Sequence, residues 1–333
     1  MSKACLVVSA PYGKGEIFNK ANEALNRDNN LEFFHLLKDY FAEKNFDLNT
    51  QDLNKPDDCD LVIYNEMPVI APKKHDVDKS YLLLFESELI RPDNWNLKAH
   101  ENFSKIFTWH DEFVDNKKYF KMNFVRSGCV SFVAFRDKKF CTLMAGNKDV
   151  AHKLELYSER KRAIRWFEKN HPEDFEFYGT NWDRYIFRGP LWIRALNKIP
   201  GLGKCLAEKW PSYRGRVARK LDVLRNYKFS ICYENARDIP GYITEKIFDS
   251  LAAGCIPVYW GAPNITDYVD ELCFVDRRKF SSYEEVYAYL NSMTEDEYNQ
   301  RIETIKKYLQ SEKYAYFTPS VVAQQLVKNI MGR

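Results

Sequence analysis

The sequence predicts an α/β chain made of two doubly wound domains, each a parallel sheet with helices on both faces. Three observations predict it. With 333 residues the chain is longer than one domain usually is, and two domains of roughly 150 residues are expected. Short apolar runs alternate with helical stretches, the pattern of parallel strands joined by helices. Residues 228–268 read as a complete strand–helix–strand unit: two runs rich in β-formers, 229–233 and 256–260, are joined by a loop and a helical segment that Gly254 closes.

In the first half, strands are expected at 6–9, 61–64 and 82–85, with a helix near 31–45. After an apolar run and a charged turn around 130–139 a second series begins: a strand at 141–145, a helix near 150–170, a strand at 175–178, the unit at 228–268 and a strand at 273–276. The boundary is placed near 138, giving domains of 1–138 and 139–333. From 282 onward Tyr, Leu and Ile at helical spacing predict three helices, the last packing back on the first domain.

Composition narrows the function classes. Hydrophobic residues make up 45% of the chain and aromatics 15%, enough for two cores. A formal net charge of +3 argues against nucleic acid as the main partner. The eight cysteines are scattered, without C-x-x-C spacing, and Cys5, Cys232 and Cys255 sit inside apolar runs, so buried reduced thiols and a reducing compartment are expected. The first apolar run is broken by Pro11 and Gly13, too early for a signal peptide, and no later run approaches a membrane span, which predicts a cytoplasmic protein.

Several apparent motifs carry no chemistry. Gly13-Lys14-Gly15 matches no phosphate-binding loop and reads as a turn, and Asp58-Cys59-Asp60 reads as the solvated entry to the strand at 61. The six histidines show neither metal-ligand spacing nor a Ser-His-Asp arrangement. No metal site and no tightly bound cofactor are expected.

The helix of the 228–268 unit has Ile247, Phe248, Leu251 and Ala252 on one face, so that face packs on the sheet while the first turn stays free. Thr244 precedes that turn, and its N–H groups and dipole favour a diphosphate, to which Lys246 adds a full charge. Glu245 beside a diphosphate would be repelled and suits ribose hydroxyls instead. The plainer alternative is a solvated Glu-Lys pair.

Tyr233-Glu234-Asn235, Gly241-Tyr242-Ile243-Thr244-Glu245-Lys246, Ala253-Gly254-Cys255-Ile256-Pro257-Val258 and Gly261-Ala262-Pro263 resemble, in this order, the signature of the α1,3-fucosyltransferases, glycosyltransferase family 10. The resemblance covers about forty residues. It implies a two-domain GT-B fold, two Rossmann-like doubly wound domains facing a central cleft, with GDP-fucose as donor substrate in the C-terminal half near Asn235, Tyr242, Thr244, Glu245 and Lys246. The N-terminal domain would then bind the acceptor. Two further stretches resemble family elements. Residues 84–92 carry Glu86 and Glu88 where the family has E-S-P, whose glutamate is taken as catalytic base; Glu86 matches that glutamate, and Glu88 stands where the proline is expected. Ala145-Gly146-Asn147 and Tyr157-Ser158-Glu159-Arg160 resemble a strand ending in S-N and a helix carrying an arginine, which implies Asn147 and Arg160 as donor-binding residues. Counting seven back from Phe167 favours Arg160 over Arg162 and Arg165.

The activity implied is inverting transfer of L-fucose from GDP-fucose to a glycan or lipid-linked oligosaccharide hydroxyl, O3 of GlcNAc in the family pattern. The process would be cell-surface polysaccharide, lipopolysaccharide O-antigen or protein glycosylation, with a divalent cation at most stimulating it. A different GDP-linked 6-deoxy sugar, or a catalytically silent glycan-binding protein, are the alternatives. Animal Golgi members begin with an anchor helix that this chain lacks, which implies a bacterial-type soluble enzyme.

One segment lies outside the signature. Residues 184–220 carry ten Lys or Arg against one acid, Glu208, interleaved with Leu191, Trp192, Ile193, Leu196, Ile199, Leu202, Leu206 and Trp210. Such a segment suits an anionic membrane surface and a position peripheral to the inner membrane; the alternative is an insertion whose apolar side packs on its own domain.

Overall fold

The structure is a computed structural model that describes residues 1–125 and 130–332; Cys129 lies outside the described residues. The first domain contains β1 (Ser2–Val7), α1 (Glu32–Glu43), β2 (Phe46–Thr50), β3 (Leu61–Asn65), β4 (Ser80–Leu84), β5 (Lys105–Thr108) and β6 (Tyr119–Lys121). The second contains β7 (Lys139–Met144), α2 (Tyr157–Asn170), β8 (Phe175–Tyr178), α3 (Leu191–Ala195), α4 (Leu202–Cys205), α5 (Lys220–Leu224), β9 (Tyr227–Tyr233), α6 (Glu245–Ala252), β10 (Ile256–Trp260), α7 (Ile265–Tyr268) and β11 (Val275–Asp276). A tail of α8 (Tyr283–Ser292), α9 (Glu295–Tyr308), the short α10 (Glu312–Ala315) and α11 (Pro319–Met331) completes it.

Both sheets are parallel throughout, with orders β2-β1-β3-β4-β5-β6 and β11-β10-β9-β7-β8. Both follow one doubly wound pattern, in which the chain steps to one side of its first strand and then returns to the other. Strand order reverses between β1 and β3 in one sheet and between β7 and β9 in the other, and ligands of such sheets bind at the carboxyl ends beside that reversal.

Strands buried on both faces explain why β3, β4, β9 and β10 are nearly continuous apolar runs. On one face of the first sheet, Leu37 and Phe41 of α1 meet Val322, Leu326 and Ile330 of α11, so the last helix does return to the first domain. The other face is closed by Val62, Leu82, Leu84, Phe103 and Ile106. Of the seven described cysteines all are free thiols, and all but Cys205 are buried.

The domains meet through a few specific contacts. Trp109 packs its ring 4.6 Å from that of Tyr242, and Asn264 Nδ2 donates to Asp111 across the seam at 2.8 Å. Gly241 sits at φ 79°, and a Cβ there would lie 2.3 Å from the Trp109 carbonyl oxygen. Only glycine lets the loop before α6 approach the first domain this closely.

Candidate active site in the interdomain cleft

The first wall of the cleft is built just beyond β4. Glu86 donates its backbone N–H to Glu66 Oε1 at 2.9 Å, and its carbonyl accepts from Trp95 Nε1 at 3.1 Å and Asn94 Nδ2 at 3.3 Å. Trp109 Nε1 ties the preceding carbonyl, that of Phe85, at 2.8 Å. The main chain is thus held from both sides while the carboxylate faces the cleft. Burial raises the Glu86 carboxyl above its ordinary value, with Lys148 and Lys246 pulling the other way. A carboxylate made more basic in this way suits proton abstraction. Glu88, two residues on, is exposed and lines neither cleft cavity.

Glu66 carries no expectation from the sequence, yet it organises this wall. It follows β3 with φ 73°, accepts the Phe85 and Glu86 N–H groups, and takes a hydrogen bond from Asn94, itself fully buried. Burial pushes its carboxyl from 4.5 up to about 7. The folded chain therefore binds this proton more tightly than the unfolded chain, and stability is expected to fall as pH rises from about 4.5 through about 7. Denaturant melts across that range should show the slope, and Glu66→Gln, which has no proton to lose, should lack that part of it. An unchanged slope in the variant would contradict the assignment.

The opposite wall is the first turn of α6 and the end of β9. Thr244 caps the helix, its side chain accepting from the Lys246 N–H. Glu234, entirely buried, holds this turn: it accepts from the Thr244 N–H at 2.8 Å, from Thr244 Oγ1 at 2.7 Å and from Lys246 Nζ at 3.1 Å. Lys246 Nζ also donates to Thr244 Oγ1 at 2.7 Å. Burial would lower the Lys246 ammonium, but Glu234 and Glu245 outweigh it, so Lys246 stays charged. Glu245 pairs with Lys220, 3.5 Å away, and Lys220 lies 2.9 Å from Asp249.

Arg160, one turn into α2, reaches the same place. Its guanidinium is buried and donates to the Tyr233 carbonyl at 2.6 Å and to Asn235 Oδ1 at 3.2 Å. Asn235 Nδ2 in turn donates to the Tyr242 hydroxyl at 3.4 Å. Arg162 and Arg165 instead pair with Glu159 and Glu168 on their own helix. Asn147 stands beside this wall, with its N–H on the Thr180 carbonyl at 2.8 Å and its Oδ1 buried without a partner, but it does not line either cleft cavity.

Two cavities open between the walls. One, of about 360 Å³, is bordered by Arg27, Lys148, Arg160, Arg216, Lys220 and Lys246 against the two acids Glu86 and Glu245. The other, of about 530 Å³, runs along the first domain past Tyr12, Phe33, Phe34, Phe85 and Glu66. Glu86, Phe124, Arg27, Lys220 and Glu245 border both. The cation-rich chamber suits a diphosphate and the aromatic one a sugar ring, and the carboxylate stands where they join.

The structure thus brings together Glu86, Arg160, Asn235, Tyr242, Thr244, Glu245 and Lys246. Sequence reasoning missed Glu66, Glu234, Tyr157 and Lys220. Glu234 lies inside the Tyr233-Glu234-Asn235 stretch, and Tyr157 three residues before Arg160. Lys220 is one of the ten cations of 184–220, yet it belongs to the cleft, because the segment turns inward before α5 and meets Glu245 and Asp249 of α6. Among the described residues, the His, Asp and Glu side chains close enough to share an ion are His171, Glu173 and Asp174, beyond the far end of α2 from Arg160.

Two doubly wound sheets facing one cleft, with a capped helix N-terminus and clustered cations on the second-domain side, define the GT-B class of glycosyltransferase fold. Residues 192–321 match the model of glycosyltransferase family 10 (fucosyltransferase), C-terminal. An α-(1,3)-fucosyltransferase, FucT, of Helicobacter pylori is 33% identical over 100 residues, 30% of this chain and 17% of that protein. An α-(1,4)-fucosyltransferase of Arabidopsis thaliana is 37% identical over 109 residues, 31% of this chain and 27% of the relative. The chain therefore aligns with less than a third of the length of these relatives. A crystal structure of an α1,3-fucosyltransferase with GDP superposes with a TM-score of 0.55, covering 99% of this chain and 91% of the other at 14% identity, a likeness of fold.

Proposed function

We propose that the protein transfers L-fucose from GDP-fucose to a hydroxyl of a glycan acceptor, O3 of GlcNAc in the family pattern, by a single inverting displacement. Supporting it above all is the position of Glu86, on the border of both cavities. The cation-rich chamber takes the donor, with Arg160, Lys246 and the α6 N-terminus stabilising the departing GDP, and the aromatic chamber of the first domain takes the acceptor. Glu86 removes the acceptor proton as its oxygen attacks the anomeric carbon, and Glu88 stands outside this chemistry. Glu245 serves the ribose, with Lys220 holding its carboxylate in place. Asn235 and Tyr242 order Arg160, and Asn147 acts through the same wall. Closure across the Trp109–Tyr242 seam aligns the substrates and excludes water. Incubation with GDP-fucose and a glycan array, read by mass spectrometry, tests the proposal. A mass gain of one deoxyhexose is expected; a gain only from another GDP-linked sugar, or none, would overturn it.

The acceptor in this proposal is part of a growing cell-surface glycan, such as an O-antigen, presented on a lipid at the cytoplasmic side of the inner membrane. The supporting observation is the exposure of the arm formed by α3 and α4: Leu191 and Trp192 are 81% and 72% exposed, and Ile199 and Leu206 are exposed too. Trp210 is buried in the second-domain core and Ile193, Leu196 and Leu202 are half-buried, so the domain covers only part of the segment's apolar side and leaves Leu191, Trp192, Ile199 and Leu206 to solvent. Among these residues stand Arg188, Arg194, Lys198 and Lys204, and each cation near an anionic surface contributes about 1 kcal/mol. The chain should sediment with anionic liposomes at low salt and be released at high salt, and Trp192→Ser with Leu191→Ser should weaken the binding. Absence of sedimentation at low salt would overturn the membrane assignment. No described helix is long and apolar enough to cross a membrane.

A further inference from the structure

Tyr157 opens α2 one turn before Arg160 and borders the cation-rich chamber. Only 2% of its surface is exposed, yet its hydroxyl has no hydrogen-bond partner in the structure. Buried hydroxyls almost always have one, and Tyr157 borders a chamber in which a bound ligand would supply it. The ring cannot turn away: the Arg160 guanidinium lies 4.9 Å from its centroid, and Leu89, Trp109, Ala236 and Tyr242 pack around it. Burial holds the phenol in its protonated form, so the hydroxyl can donate.

The neighbours of Tyr157 around the chamber indicate what it meets. Arg160, Lys246 and Glu86 border the same chamber as Tyr157. In the reaction proposed above, the first two mark the diphosphate and the third marks the attacking acceptor oxygen, and the transferred sugar lies between leaving group and nucleophile. The diphosphate already has two cations and a helix N-terminus. We infer that the Tyr157 hydroxyl donates a hydrogen bond to a hydroxyl of the transferred sugar, so that this residue reads the sugar where Arg160 and Lys246 read the nucleotide. The inference rests on the donor assignment made for this cleft, and it makes Tyr157 a specificity-determining residue.

Tyr157→Phe keeps the ring and removes only the hydroxyl. Its GDP affinity by calorimetry is expected to stay within about twofold, while kcat/KM for GDP-fucose falls about 10- to 100-fold. With GDP-fucose analogues lacking the 2-, 3- or 4-hydroxyl, the variant and the parent should differ by less than about threefold for the one analogue that lacks the hydroxyl Tyr157 contacts. Three results would overturn the inference: unchanged kcat/KM, an equal loss of GDP affinity, which would put the hydroxyl on the diphosphate, or the same loss with every analogue, which would make its role structural. If the parent chain binds GDP but transfers no fucose, the proposed function fails separately, and Tyr157 is judged by binding: the variant must lose affinity for an intact GDP-sugar and not for GDP.

Discussion

Glu86→Gln is expected to lower turnover by about 10² or more while leaving GDP affinity within a few-fold. The loss is that of a general base, typically 10²- to 10⁴-fold. The selectivity follows from how the residue is held. Glu66, Asn94 and Trp95 bind the main chain of Glu86 and not its carboxylate, so an amide of the same shape leaves the wall in place. The groups proposed to bind the diphosphate lie on the other domain. Steady-state turnover with GDP-fucose and an acceptor, together with calorimetry of GDP, checks both halves. A large loss in Glu88→Gln with Glu86→Gln near normal would reverse the assignment, although Glu88 is exposed and lines neither cavity.

Lys246→Met is expected to have two separable effects. Loss of a charge-assisted hydrogen bond to the diphosphate should weaken GDP binding by about 1.5 to 3 kcal/mol. Loss of the only cation bonded to a fully buried Glu234 among the described residues should destabilise the fold by about 3 to 5 kcal/mol. Adding Glu234→Gln should restore most of the stability, because a neutral amide can still accept from the Thr244 N–H and no longer needs a cation. It should not restore GDP affinity. A double variant that recovers both would mean that Lys246 acts only as the counter-ion of Glu234; one that recovers neither would mean that the ion pair is not what its loss costs.

Much of the scaffold was legible because parallel strands buried on both faces are written as unbroken apolar runs. The runs at 61–64, 229–233 and 256–260 became β3, β9 and β10 with ends shifted by no more than two residues. Three strands were not foreseen. β2 is Phe-Asp-Leu-Asn-Thr, an edge strand whose polar residues hide its character, and β5 and β6 are only four and three residues long. The candidate site was legible where its residues are contiguous in sequence, as in Thr244, Glu245 and Lys246, which border the cleft. It was not legible where tertiary contacts make the chemistry. Glu66 is an ordinary glutamate after a strand until Asn94, 28 residues on, and the Glu86 backbone close around it. Lys220 looks like one more cation in a basic run, and only the return of the chain toward α6 gives it Glu245 and Asp249 as partners. The exposure of Leu191 and Trp192 was equally hidden, since an amphipathic pattern does not say whether its apolar side finds a domain to cover it.

In the function proposed, one cleft holds the nucleotide on the second-domain side, with Glu86 facing it from the first. Crystals of the chain grown with GDP test this most directly. The diphosphate is expected against Arg160, Lys246 and the first turn of α6, the ribose beside Glu245, and the Glu86 carboxylate across the cleft with the aromatic chamber open behind it. GDP seated in the first-domain chamber among Phe33, Phe34 and Phe85, or bound away from the α6 N-terminus, would contradict it.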